Sequence, residues 1–149
     1  MPPRSGRHYV ILLVEDDPGD QELIRRASAV AGLRAELRAV ADGEEALEYL
    51  MRRGRHAPPC DAPPPDLVLL DLNMPRLDGR EVLRQMRSNP QLQCVPVVIL
   101  TTSDQLADVT ECYEIGCNSF IAKPAGLSEF VECLRQLSAY WFELVKLPT

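Results

Sequence analysis

This 149-residue chain lacks any long apolar run. No stretch approaches the roughly 18 residues of a membrane-spanning helix. Met1 to His8 leads into an apolar segment that acids break at once, which is no secretory signal, so a cytoplasmic protein is expected. Basic surface is also missing: the net charge is −6 and no cluster of Lys and Arg offsets it, which excludes non-specific nucleic-acid binding. The five cysteines are odd in number and scattered, never in a Cys-x-x-Cys pair, and His8 and His56 stand alone. Neither a disulfide framework nor a zinc pattern is available, and the cysteines read as reduced packing thiols. At 46% hydrophobic and 26% charged, the chain has the composition and length of one globular domain with its own core.

The most informative stretch is Asp66 to Gly79, DLVLLDLNMPRLDG. Four consecutive apolar residues, Leu67 to Leu70, suit a strand buried on both faces. Asn73, Met74-Pro75 and Asp78-Gly79 then supply turn chemistry. Asp71 therefore falls at the carboxyl end of a central strand, where open α/β sheets keep their ligand crevice. A carboxylate there must be solvated, paired or bound to a metal.

The same alternation runs along the whole chain. Tyr9 to Val14 is a second buried strand, stopped by Glu15, Asp16 and Asp17. A helix comes next, with Asp17 or Asp20 as cap, Leu23, Ile24, Ala27, Val30 and Ala31 as its stripe, and Gly32 as its stop. Ala35 to Ala39 reads as a weaker edge strand. Asp42 and Glu45 resemble a capping arrangement for a helix with Ala46, Leu47, Leu50 and Met51 inward and Gly54 as its end. Residues 55–65 carry five prolines and read as an extended surface loop. After Gly79 comes a helix with Val82, Leu83 and Met86, ending near Asn89-Pro90. The strand Val95 to Leu100 ends at Thr101-Thr102. Ser103 or Asp104 is the expected cap of a helix bearing Leu106, Val109 and Tyr113. Ser119 to Ala122 is a short strand ending at Lys123-Pro124, and Ser128 is the expected cap of a final helix over 128–147. Five strand–helix repeats imply a parallel sheet covered on both faces and joined by right-handed crossovers.

In such a sheet the strand ends share one edge, so Glu15, Asp16, Asp71, Thr101 and Lys123 converge. Three crowded carboxylates repel one another unless a cation intervenes, and Mg²⁺ with carboxylate, carbonyl and water oxygens answers that need. Lys123 adds a positive charge and Thr101 a hydroxyl. Together they suit the stabilisation of a phosphoryl group in transfer, with a carboxylate as nucleophile.

The motifs VED at Val14 to Asp16, LLDLNMPxxDG at Leu69 to Gly79, LTT at Leu100 to Thr102 and KP at Lys123-Pro124 resemble those of response regulator receiver domains. The resemblance covers nearly all of residues 1–149, as a single domain with residues 1–7 as an N-terminal tail. It implies a flavodoxin-like, doubly wound five-stranded parallel sheet in order 2-1-3-4-5 with five helices. By that resemblance Asp71 is the phosphoacceptor, and Glu15, Asp16, Asp71 and the Asn73 backbone carbonyl hold Mg²⁺, for which Mn²⁺ or Ca²⁺ can substitute. Thr101, Thr102 and Lys123 contact the phosphate, Thr101 and Phe120 form the switch, and the bond before Pro124 is cis. The partner implied is a sensor histidine kinase. The proline-bearing loop, NMPRLDGREVL and the tail FVECLRQLSAYWFELVKLP are similar to the receivers that serve bacterial phytochrome kinases, and no output domain is read from the sequence. The signal would leave by protein contact or through a downstream phosphorelay protein.

Each residue also has an ordinary explanation: Asp71 as a turn cap, Lys123 as a solvated charge, Glu15 and Asp16 as helix-initiating acids. Two functions of other classes compete with this one. A Mg²⁺-dependent aspartyl phosphatase wants an acid two residues after the nucleophile, where this chain has Asn73. A nucleotide or flavin module wants a Gly-rich loop after the first strand, where this chain has acids. Lastly, Tyr140, Trp141, Phe142, Leu144 and Val145 surround the end of the final helix with more apolar surface than one stripe can bury, so a homodimer is expected there.

Overall fold

A computed structural model describes residues 8–148; the N-terminal tail at 1–7 lies outside the described residues. The elements alternate as β1 (Tyr9–Val14), α1 (Pro18–Ala31), β2 (Ala35–Val40), α2 (Gly43–Met51), β3 (Leu67–Leu70), α3 (Gly79–Ser88), β4 (Val97–Thr101), α4 (Leu106–Ile115), β5 (Ser119–Ala122) and α5 (Leu127–Ser138). The strands form one parallel sheet in the order β2-β1-β3-β4-β5. This is the doubly wound order that the receiver resemblance implied.

Strand periodicity divides the interior into two cores, because successive side chains leave a strand on opposite faces. Leu12, Val14, Val68, Leu70, Val97 and Ile99 pack with Leu47 of α2 and Val82, Leu83 and Met86 of α3. Ile11, Leu13, Leu67, Leu69, Val98 and Leu100 pack on the other face with Ile24 and Ala27 of α1 and Phe130, Val131 and Leu134 of α5. Both faces of the central strands are covered, so their sequences show no polar alternation.

Several helix ends show the expected chemistry. The Asp17 carboxylate accepts the Gly19 N–H at 2.8 Å, and Gly32 closes α1 at φ 65°. Asp42 accepts from Glu45 N at 2.8 Å, while the Glu45 side chain turns back to Ala41 N at 2.9 Å. Others differ. The helix α2 stops at Arg52, in a left-handed conformation, before reaching Gly54. The Arg52 guanidinium there donates to the Cys60 carbonyl at 2.6 Å, which holds the proline-bearing segment against α2. Neither Ser103 nor Asp104 caps α4; Gln105 precedes it without a side-chain bond. Ser103 instead donates to Asp108. The stripe expected at Leu106, Val109 and Tyr113 is rotated: α4 buries Cys112, and Leu106 and Tyr113 face solvent. Ser128 is no cap either, since α5 begins at Leu127 after Gly126.

The C-terminal segment corrects the expected dimer surface. The helix does not run to residue 147; α5 ends at Ser138 and Ala139–Leu144 forms a wider π-type turn. Such a turn takes in an extra residue and rotates the downstream side chains about the axis. Trp141, Phe142 and Leu147 thereby join the α1–α5 core. Phe142 stacks on Tyr9 with ring centroids 4.4 Å apart. Of the residues assigned to an interface, Tyr140 and Leu144 remain exposed and Val145 is half-buried.

Candidate functional site

The parallel ladder continues past the strand ends and so sets the site. Glu15 N donates to Val40 O at 3.1 Å, Asp71 N to Val14 O at 3.1 Å, and Lys123 N to Thr101 O at 2.7 Å. These bonds bring the first residue after β1, β3 and β5, and the last of β4, to one edge. One oxygen each from Glu15, Asp16 and Asp71 lies within 4.8 Å of the others. Glu15 and Asp71 are buried and Asp16 is half-buried.

Among the described residues, the edge carries one cation. Lys123 Nζ lies 2.8 Å from Glu15 Oε2, 2.8 Å from Asp20 Oδ2 and 3.3 Å from Asp71 Oδ2, with its side chain only 8% exposed. Burial pushes the Glu15 carboxyl up to about 7; the bond from Lys123 opposes that and the charge on Asp71 adds to it. Burial also pulls the Lys123 ammonium down, but its bonds to Asp20 and Glu15 and the charge on Asp71 outweigh this and hold it above the ordinary lysine value. The Thr101 hydroxyl is fully buried and has no hydrogen-bond partner among the described residues. An unmet buried hydroxyl is costly and marks a donor waiting for an acceptor.

Gly79 permits the loop between β3 and α3 to close over this edge. A Cβ there would stand 2.1 Å from the Asp71 carbonyl oxygen, so no other residue fits without moving the backbone. Asp78 caps α3 by accepting from Arg80 N at 2.9 Å. Arg76, at φ 66°, reaches back to Asp42 at 2.8 Å and ties the loop to the start of α2.

Among the residues singled out from sequence, Glu15, Asp16, Asp71, Thr101 and Lys123 meet at this edge, while Asn73 and Thr102 are exposed in the loops beside it. Phe120 is half-buried on β5, packed against the core beneath α3 and α4. The bond before Pro124 is trans, contrary to expectation; among the described residues the cis bond is Pro58–Pro59. Trans is the lower-energy isomer, and Lys123 reaches its acids in it. Sequence reasoning marks Asp20 only as a possible cap, yet it is a partner of Lys123. Its position in the first turn of α1, one turn beyond Asp16, is the available signal.

A parallel sheet of this order, with acids, a hydroxyl and a lysine gathered at its carboxyl edge, defines a receiver-type signalling module. The chain belongs to the response regulator receiver domain family, whose model matches residues 11–135. It is 37% identical to the response regulator Rcp1 of Synechocystis over 99% of both chains. Two solved structures are similar end to end. The phosphorylated cyanobacterial phytochrome response regulator RcpA superposes with a TM-score of 0.87 at 40% identity, covering 96% of this chain and 100% of its own. The response regulator RPA3017, from red light signalling in R. palustris, gives 0.89 at 42% identity over 95% and 99%. Rcp1 itself has been solved in a Mn²⁺-bound form.

Proposed function

We propose that the chain accepts a phosphoryl group from a sensor histidine kinase onto Asp71, and that the kinase is of the phytochrome type. The observation that carries this is the meeting of Glu15, Asp16 and Asp71 oxygens within 4.8 Å, with Lys123 3.3 Å from Asp71. An Asp71 carboxylate oxygen attacks the phosphorus of a phosphohistidine. The new P–O bond forms as the P–N bond breaks, and the electron pair leaves on the imidazole nitrogen. Lys123 supplies positive charge to the phosphoryl oxygens, with Thr101 and Thr102 on the same rim.

The donor set fits a hard divalent cation such as Mg²⁺, held by Glu15, Asp16, Asp71 and the Asn73 carbonyl; all are oxygen donors, and the buried acids exceed the single lysine. Bound there, the ion neutralises charge on the transferring group. Once Asp71 is phosphorylated, the Thr101 hydroxyl gains the acceptor it lacks, and Phe120 moves inward into the space it leaves. The relatives' phytochrome names support the kinase assignment. Docking would use the crevice and the neighbouring α1, in the cytoplasm, and the signal would pass on by contact or phosphorelay. A homodimer remains part of the reading, now resting on Tyr140 and Leu144, and light scattering of Leu144→Glu against wild type tests it.

Intact mass after incubation with Mg²⁺ and acetyl phosphate is the test of the chemistry. One phosphate is expected on the wild type and none on Asp71→Asn. Equal labelling of the two, or labelling that survives excess chelator, would overturn the assignment.

A further inference from the structure

Lys123 Nζ lies within 3.3 Å of three carboxylates, donating hydrogen bonds to Asp20 and Asp71 and forming an ion pair with Glu15. Two of these, Glu15 and Asp71, also belong to the acid cluster suited to a cation. Asp20 does not: among the described residues the cluster comprises Glu15, Asp16 and Asp71. Asp20 is also nearer to Lys123 Nζ, at 2.8 Å, than Asp71 is at 3.3 Å. It stands in the first turn of α1, where the helix end favours a negative charge. Its partner lies 103 residues away, just past the end of β5 on the opposite side of the sheet's switch point.

We propose that Asp20 is a positioning residue that sets how Lys123 divides between its resting acids and an incoming phosphoryl group. The inference rests on the receiver reading above. Asp20 draws the ammonium partly off Glu15 and Asp71, which leaves those oxygens freer for a cation. It also competes with phosphoryl oxygens for the same ammonium once Asp71 is loaded. The two effects have opposite signs, so neutralising Asp20 separates them.

The experiment is calorimetric titration of the full chain with Mg²⁺ alone, and then with beryllium fluoride, a phosphoryl mimic, at saturating Mg²⁺. Asp20→Asn is expected to weaken Mg²⁺ binding and to tighten beryllium fluoride binding, each by about three- to tenfold. Both effects should vanish when Lys123→Gln is added, because Asp20 acts through the lysine. Asp17→Asn removes a charge from the same segment, and Asn remains a good cap; it should shift either affinity less than twofold. Asp20→Ser gives a second neutral side chain, and circular dichroism melts report on folding of each variant. The proposal fails if Asp20→Asn and Asp20→Ser leave both affinities unchanged, if their effects persist beside Lys123→Gln, or if Asp17→Asn reproduces them. A wild type that binds Mg²⁺ but not beryllium fluoride would overturn the proposed phosphoryl acceptance at Asp71, and this inference with it.

Discussion

At the carboxyl edge of the sheet a single ammonium, Lys123, faces Glu15, Asp20 and Asp71 within 3.3 Å. Along the proline-bearing segment beside α2 most side chains find partners instead: Arg38 meets Asp61 at 2.8 Å, Arg55 meets Glu48 at 2.7 Å and His56 Nε2 hydrogen-bonds Glu45 at 3.0 Å, while His56 Nδ1 has no partner among the described residues. The first set is acid-rich and buried except for the half-buried Asp20, with the Thr101 hydroxyl unmet among the described residues. The second is nearer to solvent, and Tyr49 also donates to the Pro63 carbonyl there at 2.7 Å. The proline segment is held by many modest bonds. The sheet edge is held in an incomplete state that a cation and a phosphoryl group would complete. Stability is therefore given up at the functional edge and supplied elsewhere.

The strongest way to break this contrast is Lys123→Ala. It leaves Glu15 and Asp71 buried with no counter-charge, and a metal-free loss of about 3 kcal/mol is expected, as for removal of one partner from a buried pair. Excess Mg²⁺ should restore most of it in urea unfolding; a loss indifferent to Mg²⁺ would mean that packing, not acid excess, governs the edge.

Thr101→Val should move the other way. Replacing an unmet buried hydroxyl with a methyl group is expected to raise stability by about 1 kcal/mol in urea unfolding, while the Phe120 response to phosphorylation is lost. A lowered midpoint would show that the hydroxyl is satisfied in solution, and the contrast would weaken.

On the proline segment, Tyr49→Phe should cost about 1 kcal/mol or slightly less by losing the bond to Pro63. Phosphate incorporation at Asp71 should stay at the wild-type level. If incorporation falls as well, the segment is coupled to the sheet edge, and the chain Glu45, Asp42, Arg76 is the route to probe next by substitution.

The sequence by itself determined where the strands end and what stands there. Apolar runs halted by Glu15, Asp71, Thr101 and Lys123 are local patterns, and burial on both faces of the sheet makes them legible without a structure. The alternation with helical stripes then determined a parallel sheet covered on both faces, while its strand order followed from the resemblance of the motifs. Only the tertiary structure decided which partner each charge found. Asp20 and Lys123 are 103 residues apart, and no local period links them. It also decided the fate of the C-terminal aromatics: a π-type turn after Ser138 directs Phe142 onto Tyr9 and Trp141 into the α1–α5 core, whereas a continued α-helix would have spread them round its surface. The same holds for the rotated face of α4, where tertiary packing chose Cys112 over Leu106 and Tyr113. Periodicity reports which face of an element is apolar, but the burial of a given side chain depends on what the rest of the fold brings against it.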